Sequence, residues 1–155
     1  MALKMDREIW ATEAGFTMNE AAEPGGIASL STGGSGVALD QDTVAVVTYV
    51  ADPSGANPVG LLLDEMVDVD LTKFRLNVYK QEKALGSKVA LVKHGWFVTN
   101  MIVGTPSAGS TAYLSGSGNV SPTNGGGGSY TAPTVGKFWS SKDQNGYAKL
   151  EVLLS

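Results

Sequence analysis

Residues 135–155 read VGKFWSSKDQNGYAKLEVLLS, and the class of fold turns on them. The centre, KDQNG (142–146), is turn chemistry, with Asp and Asn able to bond their own backbone and Gly free to take a positive φ. After it, YAKLEVLLS (147–155) alternates and puts Ala148, Leu150, Val152 and Leu154 on one inward face. Before it, VGKFWSSK (135–142) has the β-branched and aromatic content of a strand. Strand, tight turn and strand make a hairpin half-buried against a core.

The same pattern extends toward the N-terminus. TPSAGS (105–110) is a turn, TAYLS (111–115) a short strand and GSGN (116–119) another turn. VSPTNGGGGSYTAPT (120–134) continues as a loop, with GGGG at 125–128. KVALVK (88–93), a turn at His94-Gly95 and WFVTNMIV (96–103) predict a second hairpin, with Trp96 and Val98 sharing a face with Ile102. TVAVVTYV (43–50) reads as a strand buried on both faces, ADPSGANP (51–58) as a loop and VGLLL (59–63) as another apolar strand. In MVDVD (66–70), Val67 and Val69 oppose Asp68 and Asp70. LTKFRLNVYKQEKAL (71–85) fits a helical stripe and a strand equally well, and is read as a loop or short helix. About eight short strands with a turn about every ten residues predict an all-β fold, a single small barrel or sandwich.

Residues 1–40 differ. Trp10, Phe16 and Met18 are scattered without a sustained period, and the segment runs into PGG and STGGSG. The expected organisation is an extended N-terminal arm over 1–40 and a β-barrel domain over 41–155. The aromatic residues of the arm imply that it is ordered by lying on something else.

Composition narrows the function. The chain of 155 residues is 43% apolar, enough for one domain with a core, and only 17% charged, with Gly at 20 positions. Its net charge of −4 disfavours nucleic acid, which requires clustered cations. The densest basic stretch, Lys73, Arg75, Lys80 and Lys83, is interrupted by Glu82 and reads as a solvated face. The absence of cysteine excludes disulfides, thiolate metal sites and cysteine nucleophiles. MALKMDREIW lacks the apolar stretch of a signal peptide and no run of 18 or more apolar residues occurs, so cytoplasmic synthesis without a membrane span is expected.

Motifs for catalysis are weak. GGSGVAL lacks the lysine of a phosphate loop, and ALGSKVAL lacks the upstream glycine. His94, the single histidine, reads as a polar turn residue rather than a base, and no G-x-S-x-G elbow is present. Asp64, Glu65, Asp68 and Asp70 supply hard oxygen ligands but no EF-hand spacing, so a solvated strand face is the simpler reading. Neither enzyme activity nor a cofactor or metal is expected. Tyr113, Tyr130 and Trp139 would be the rings of a carbohydrate- or receptor-binding surface if they were exposed together.

Three stretches, GSKVALVKHGWFVT (86–99), GSTAYLSGSGNVSP (109–122) and PTVGKFWSSKDQNGYAKLEVLL (133–154), resemble the strand pairs of tailed-phage capsid decoration (cement) proteins. FTMNEAAEPGGIASLSTGGSG (16–36) is similar to their N-terminal portion, especially in phages of cyanobacteria and other marine hosts. Ser110 departs from the group, which often has Asp after the glycine at that turn. The resemblance implies a non-enzymatic virion protein of barrel, β-tulip or jelly-roll type, bound to the major capsid protein on the outside of the head. It also implies a homo-oligomer, commonly a trimer at local three-fold positions and sometimes a dimer. Trp10, Phe16 and Met18 would then be apolar anchors on the capsid, or the arm would pack on its own barrel or on a neighbouring subunit.

Overall fold

Strands form where β-branched and aromatic residues are bounded by turn residues. The computed structural model describes residues 2–31, 46–64, 68–69, 79–80, 83, 85–127 and 131–154. In chain order the strands are β1 (Leu3–Met18), β2 (Ile27–Leu30), β3 (Val46–Thr48), β4 (Pro58–Leu62), β5 (Asp68–Val69), β6 (Tyr79–Lys80), β7 (Lys88–Thr99), β8 (Thr111–Leu114), β9 (Val120–Ser121), β10 (Thr134–Phe138) and β11 (Ala148–Leu153). Helical geometry among the described residues is confined to single 3-10 turns at Gly116–Gly118 and Asn124–Gly127.

The main sheet runs β1-β3-β2-β4-β7-β11-β10-β8-β9, and β1 also pairs with β7. That pairing closes β1, β3, β2, β4 and β7 into a five-stranded barrel and leaves β11, β10, β8 and β9 as strands outside it. The all-β, small-barrel expectation holds. β5 and β6 pair separately.

β7 is the element that joins the two parts. One of its edges is taken by β1. The other is taken by β4 at Leu91 and Val92, then by β11 from His94 to Thr99. Two buried clusters follow from this. Met18, Val47, Ala28, Val59, Leu62, Val89 and Leu91 pack together, with Phe16 against them; the cluster draws on every barrel strand and fills the barrel. Ile27, Leu61, Ala90, Val92 and Phe97 turn the other way and meet Leu114, Val135, Phe138, Leu150 and Val152 of the outer strands. Val89, Ala90, Leu91 and Val92 are all buried, because each face of this half of β7 meets a different cluster.

The N-terminal expectation needs correction. Leu3–Met18 is not an arm apart from the barrel but its longest strand, paired with β7 along its length and, at Thr17 and Met18, parallel to β3. Of the fates open to the segment, its described part takes packing on its own barrel. Its pairing with β7 carries four register shifts, at Leu3/Arg7, Ile9/Ala11, Ala11/Thr12 and Glu13/Phe16. Each bulge re-aims the side chains that follow, so the apolar residues keep no period of two. Residues 32–40 of the expected arm lie outside the described residues.

The predicted hairpin at His94-Gly95 is also corrected, because β7 runs straight through it. Gly95 pairs with Ile9 and serves close approach rather than a turn: a Cβ there would overlap the carbonyl oxygen of Glu8. The inward residues beyond this point are Gly95, Phe97 and Thr99, while Trp96 and Val98 are only half-buried. TVAVVTYV contributes β3, with Val47 buried and its neighbours half-buried; residues 43–45 lie outside the described residues. Most of 65–84, and with it most of the ambiguous 71–85 stretch, does too, except for the short β5–β6 pair and Lys83, which bridges to Ala22; Leu85, at the end of that stretch, is exposed.

The loop at 120–134 contains β9, and the hairpin at 142–146 closes as predicted: Asp143 Oδ1 accepts from the Asn145 and Tyr147 N–H groups at 2.8 and 3.0 Å, and Gly146 has φ of 84°.

A candidate binding face built on three tryptophans

The chain has three tryptophans, and β1, β7, β11 and β10 bring all of them to one outward sheet face. Register explains how. Glu8 lies opposite Trp96, Trp96 opposite Glu151, and Glu151 opposite Lys137, which makes one row across the four strands. Neighbours in sequence alternate to the other face, where Phe97, Leu150 and Val152 are buried. Trp10 lies on β1 two residues beyond Glu8, and Trp139 follows the end of β10, its backbone N–H donating to the Lys149 carbonyl at 2.8 Å.

The indole edges are fixed by carboxylates. Glu8 accepts from Trp10 Nε1 at 2.8 Å and from Trp96 Nε1 at 3.0 Å, one oxygen to each. Glu151 Oε2 accepts from Trp139 Nε1 at 3.0 Å. Lys149 Nζ sits 3.7 Å from the Trp96 ring centroid and 5.6 Å from that of Trp139, a cation between two π faces. The Trp96 and Trp139 centroids are 6.2 Å apart with a 32° tilt. His94 meets Trp10 edge to face at 4.5 Å, and its Nε2 is 3.8 Å from Glu151 Oε1. The Trp10 hydrogen bond, with the Trp96 bond second, holds the Glu8 carboxyl below the usual carboxylate range. The rings stay accessible: Trp10 is 47% and Trp139 39% exposed, and Leu153, next but one to Glu151 on β11, is 59% exposed.

A second feature is an open cleft of about 510 Å³ lined by Phe16, Leu30, Pro58, Val59 and Leu154, with Lys93 among its walls. Lys93 pairs with Glu13 at 3.1 Å. Leu30 is 47% exposed.

The residues singled out by sequence are distributed as follows. Trp10 belongs to the tryptophan face, Phe16 borders the cleft, and Met18, 1% exposed, is inside the barrel and cannot anchor a partner from there. His94 is a mid-strand residue on the tryptophan face, not a turn residue. Asp64 is paired with Arg7 at 2.7 Å; Glu65, Asp70 and the side chain of Asp68 lie outside the described residues. Lys83 is buried, unlike the solvated position expected of it, while Lys73, Arg75 and the side chain of Lys80 lie outside the described residues. Trp139 is exposed on the same face as the exposed Trp10 and beside the half-buried Trp96, rather than with the half-buried Tyr113; Tyr130 lies outside the described residues. Sequence reasoning missed Glu8, Trp96, Lys149 and Glu151. Among the described residues no group of three or more His, Asp or Glu could hold a metal ion, and no helix is long and apolar enough to cross a membrane. No protein-family model matches the chain, and no curated protein matches it at a significant level.

Proposed function

We propose that the chain is a non-enzymatic virion structural protein, a capsid decoration protein that binds the outer surface of the major capsid protein shell of a tailed phage and stabilises the head. The observation that carries this reading is spatial. Three of the four stretches that resemble such proteins, 86–99, 109–122 and 133–154, contain β7, β8 with β9, and β10 with β11, which are consecutive neighbours in the sheet, and the fourth, 16–36, holds the end of β1 and all of β2. The three C-terminal stretches of the resemblance therefore fall on one run of paired strands rather than on scattered glycines and valines.

The cleft at Phe16, Leu30 and Leu154 is the capsid contact in this reading. It is concave and mixes apolar walls, Phe16, Leu30, Pro58, Val59 and Leu154, with the polar groups of Asn57, Lys93 and Thr134, so a protruding capsid loop can bury apolar side chains in it and bond at its edge. A ligand that binds the intact shell and not the broken one raises particle stability by mass action. The protein would act as a homo-oligomer, a trimer by the same resemblance.

The test is co-sedimentation of purified protein with expanded, undecorated heads. Binding that saturates at a fixed ratio to capsid protein, and weakens roughly tenfold or more in Leu30→Asp, supports the reading. No saturable binding by the intact protein overturns it.

A further inference from the structure

The tryptophan face carries a second binding activity that does not depend on the capsid reading. We infer that it is a carbohydrate site for a neutral oligosaccharide, with pyranose rings lying on Trp10 and Trp139 and their hydroxyls bonded to Glu8, Glu151 and Lys149.

The rings come first. Trp10 and Trp139 are exposed on a four-stranded sheet, and their N–H groups are already bonded to carboxylates at 2.8 and 3.0 Å. What they offer a ligand is therefore the π face, which suits the apolar C–H face of a sugar ring. The hydrogen bonds also fix ring orientation before any ligand arrives, so little order remains to be imposed on binding. Lys149 lies over Trp96, which makes Trp96 a spacer carrying a donor between the two stacking rings.

The polar groups choose the ligand class. Glu8, Glu151, Lys149 and His94 are interleaved with the rings. A protein surface pressed on this face would strip water from two carboxylates and an ammonium, which is costly unless each finds a new partner. Sugar hydroxyls supply both donors and acceptors at the ring edge and meet that demand. Glu8 and Glu151 are balanced by Lys149 and by Lys137 opposite Glu151, so the face carries no cationic excess to hold a polyanion, and the chain's net charge of −4 adds none. A neutral polyol is the occupant that satisfies rings and charges together.

The three tryptophans of the chain all lie at this site, so intrinsic fluorescence reports on it directly. The experiment titrates the full chain with laminarin, hydroxyethylcellulose and galactomannan as neutral probes, and with alginate and heparin as anionic ones. The expected result is a saturable fluorescence change with at least one neutral probe. It should weaken roughly tenfold in Trp139→Ala and in Trp10→Ala, and recover largely in Trp139→Phe, which restores a stacking ring. Thermal unfolding of each variant separates lost binding from lost fold, and Leu30→Asp, at the cleft, should bind the neutral probe normally. No saturable response to any neutral probe, binding of the anionic probes alone, or unchanged affinity in folded Trp139→Ala would each overturn the proposal. Loss of head binding by Leu30→Asp with glycan binding intact marks the two activities as separate. Loss of head binding in Trp139→Ala, with no glycan response in the intact protein, makes this a protein-docking face and overturns the carbohydrate assignment.

Discussion

The two halves of β7, KVALVK and HGWFVT, belong to one continuous strand but have different surroundings. From Val89 to Val92 every side chain is buried, alternate residues pointing into the barrel and into the outer cluster. From Gly95 to Thr99 only one face is buried, and the other carries Trp96 and Val98 outward. The change occurs at Lys93, where β4 gives way to β11 as the neighbouring strand. A single strand is thus a barrel wall at one end and the centre of an exposed sheet at the other. Coverage by neighbouring layers, rather than residue type, therefore decides which side chains of one strand are buried.

The largest contrast is expected between adjacent residues of the outer half. Phe97→Ala, which empties a fully buried position, should destabilise the chain by about 3–5 kcal/mol. Trp96→Ala, one residue away on the half-buried outward face, should cost less, about 1–2 kcal/mol, through lost ring contacts rather than an emptied core. Denaturant unfolding of the two variants checks this, and equal losses would mean that both faces are core.

A smaller effect is expected at the strand crossing. Gly95→Ala forces a methyl group against the Glu8 backbone and should cost about 1–3 kcal/mol, because β1 must retreat from β7. Gly15→Ala, where nothing lies within 4 Å of the added carbon, should change stability by no more than about 0.5 kcal/mol. If Gly95→Ala were equally neutral in thermal unfolding, the glycine would not be serving close approach.

The smallest effect is electrostatic. Glu8 is held ionised by the indole N–H groups of Trp10 and Trp96. A carboxylate with a depressed folded value contributes stability above its unfolded value of about 4.3, and loses that contribution as pH falls through the folded value. Tryptophan fluorescence should therefore show a component with a midpoint below the ordinary glutamate range, and that component should be lost in Glu8→Gln. A midpoint at or above that range would mean that the carboxylate does not hold the rings.

The outer hairpin is legible in the sequence because KDQNG is specific turn chemistry and the strand after it alternates cleanly. β8 with its flanking turns is readable for the same reason, and β4 because a continuous apolar run follows the turn residues of ADPSGANP. The role of residues 3–18 is not, because four bulges break the alternation on which a strand is recognised. Gly95 misleads because glycine serves both a positive φ and close backbone approach, and sequence does not say which. The tryptophan face is hidden by both of these. With His94-Gly95 read as a turn, Trp96 could not sit in one strand beside Glu8 and Glu151. The usable signal is the alternation through β11, which places Lys149 and Glu151 outward once Leu150 and Val152 are assigned to the core.

The most direct measurement is a reconstruction of heads saturated with the protein. The expected result is barrel-sized density on the outer shell, with the Phe16–Leu30 cleft against the major capsid protein and Trp10, Trp96 and Trp139 facing solvent. Heads without added density, or density that buries the tryptophan face against the shell, would contradict it.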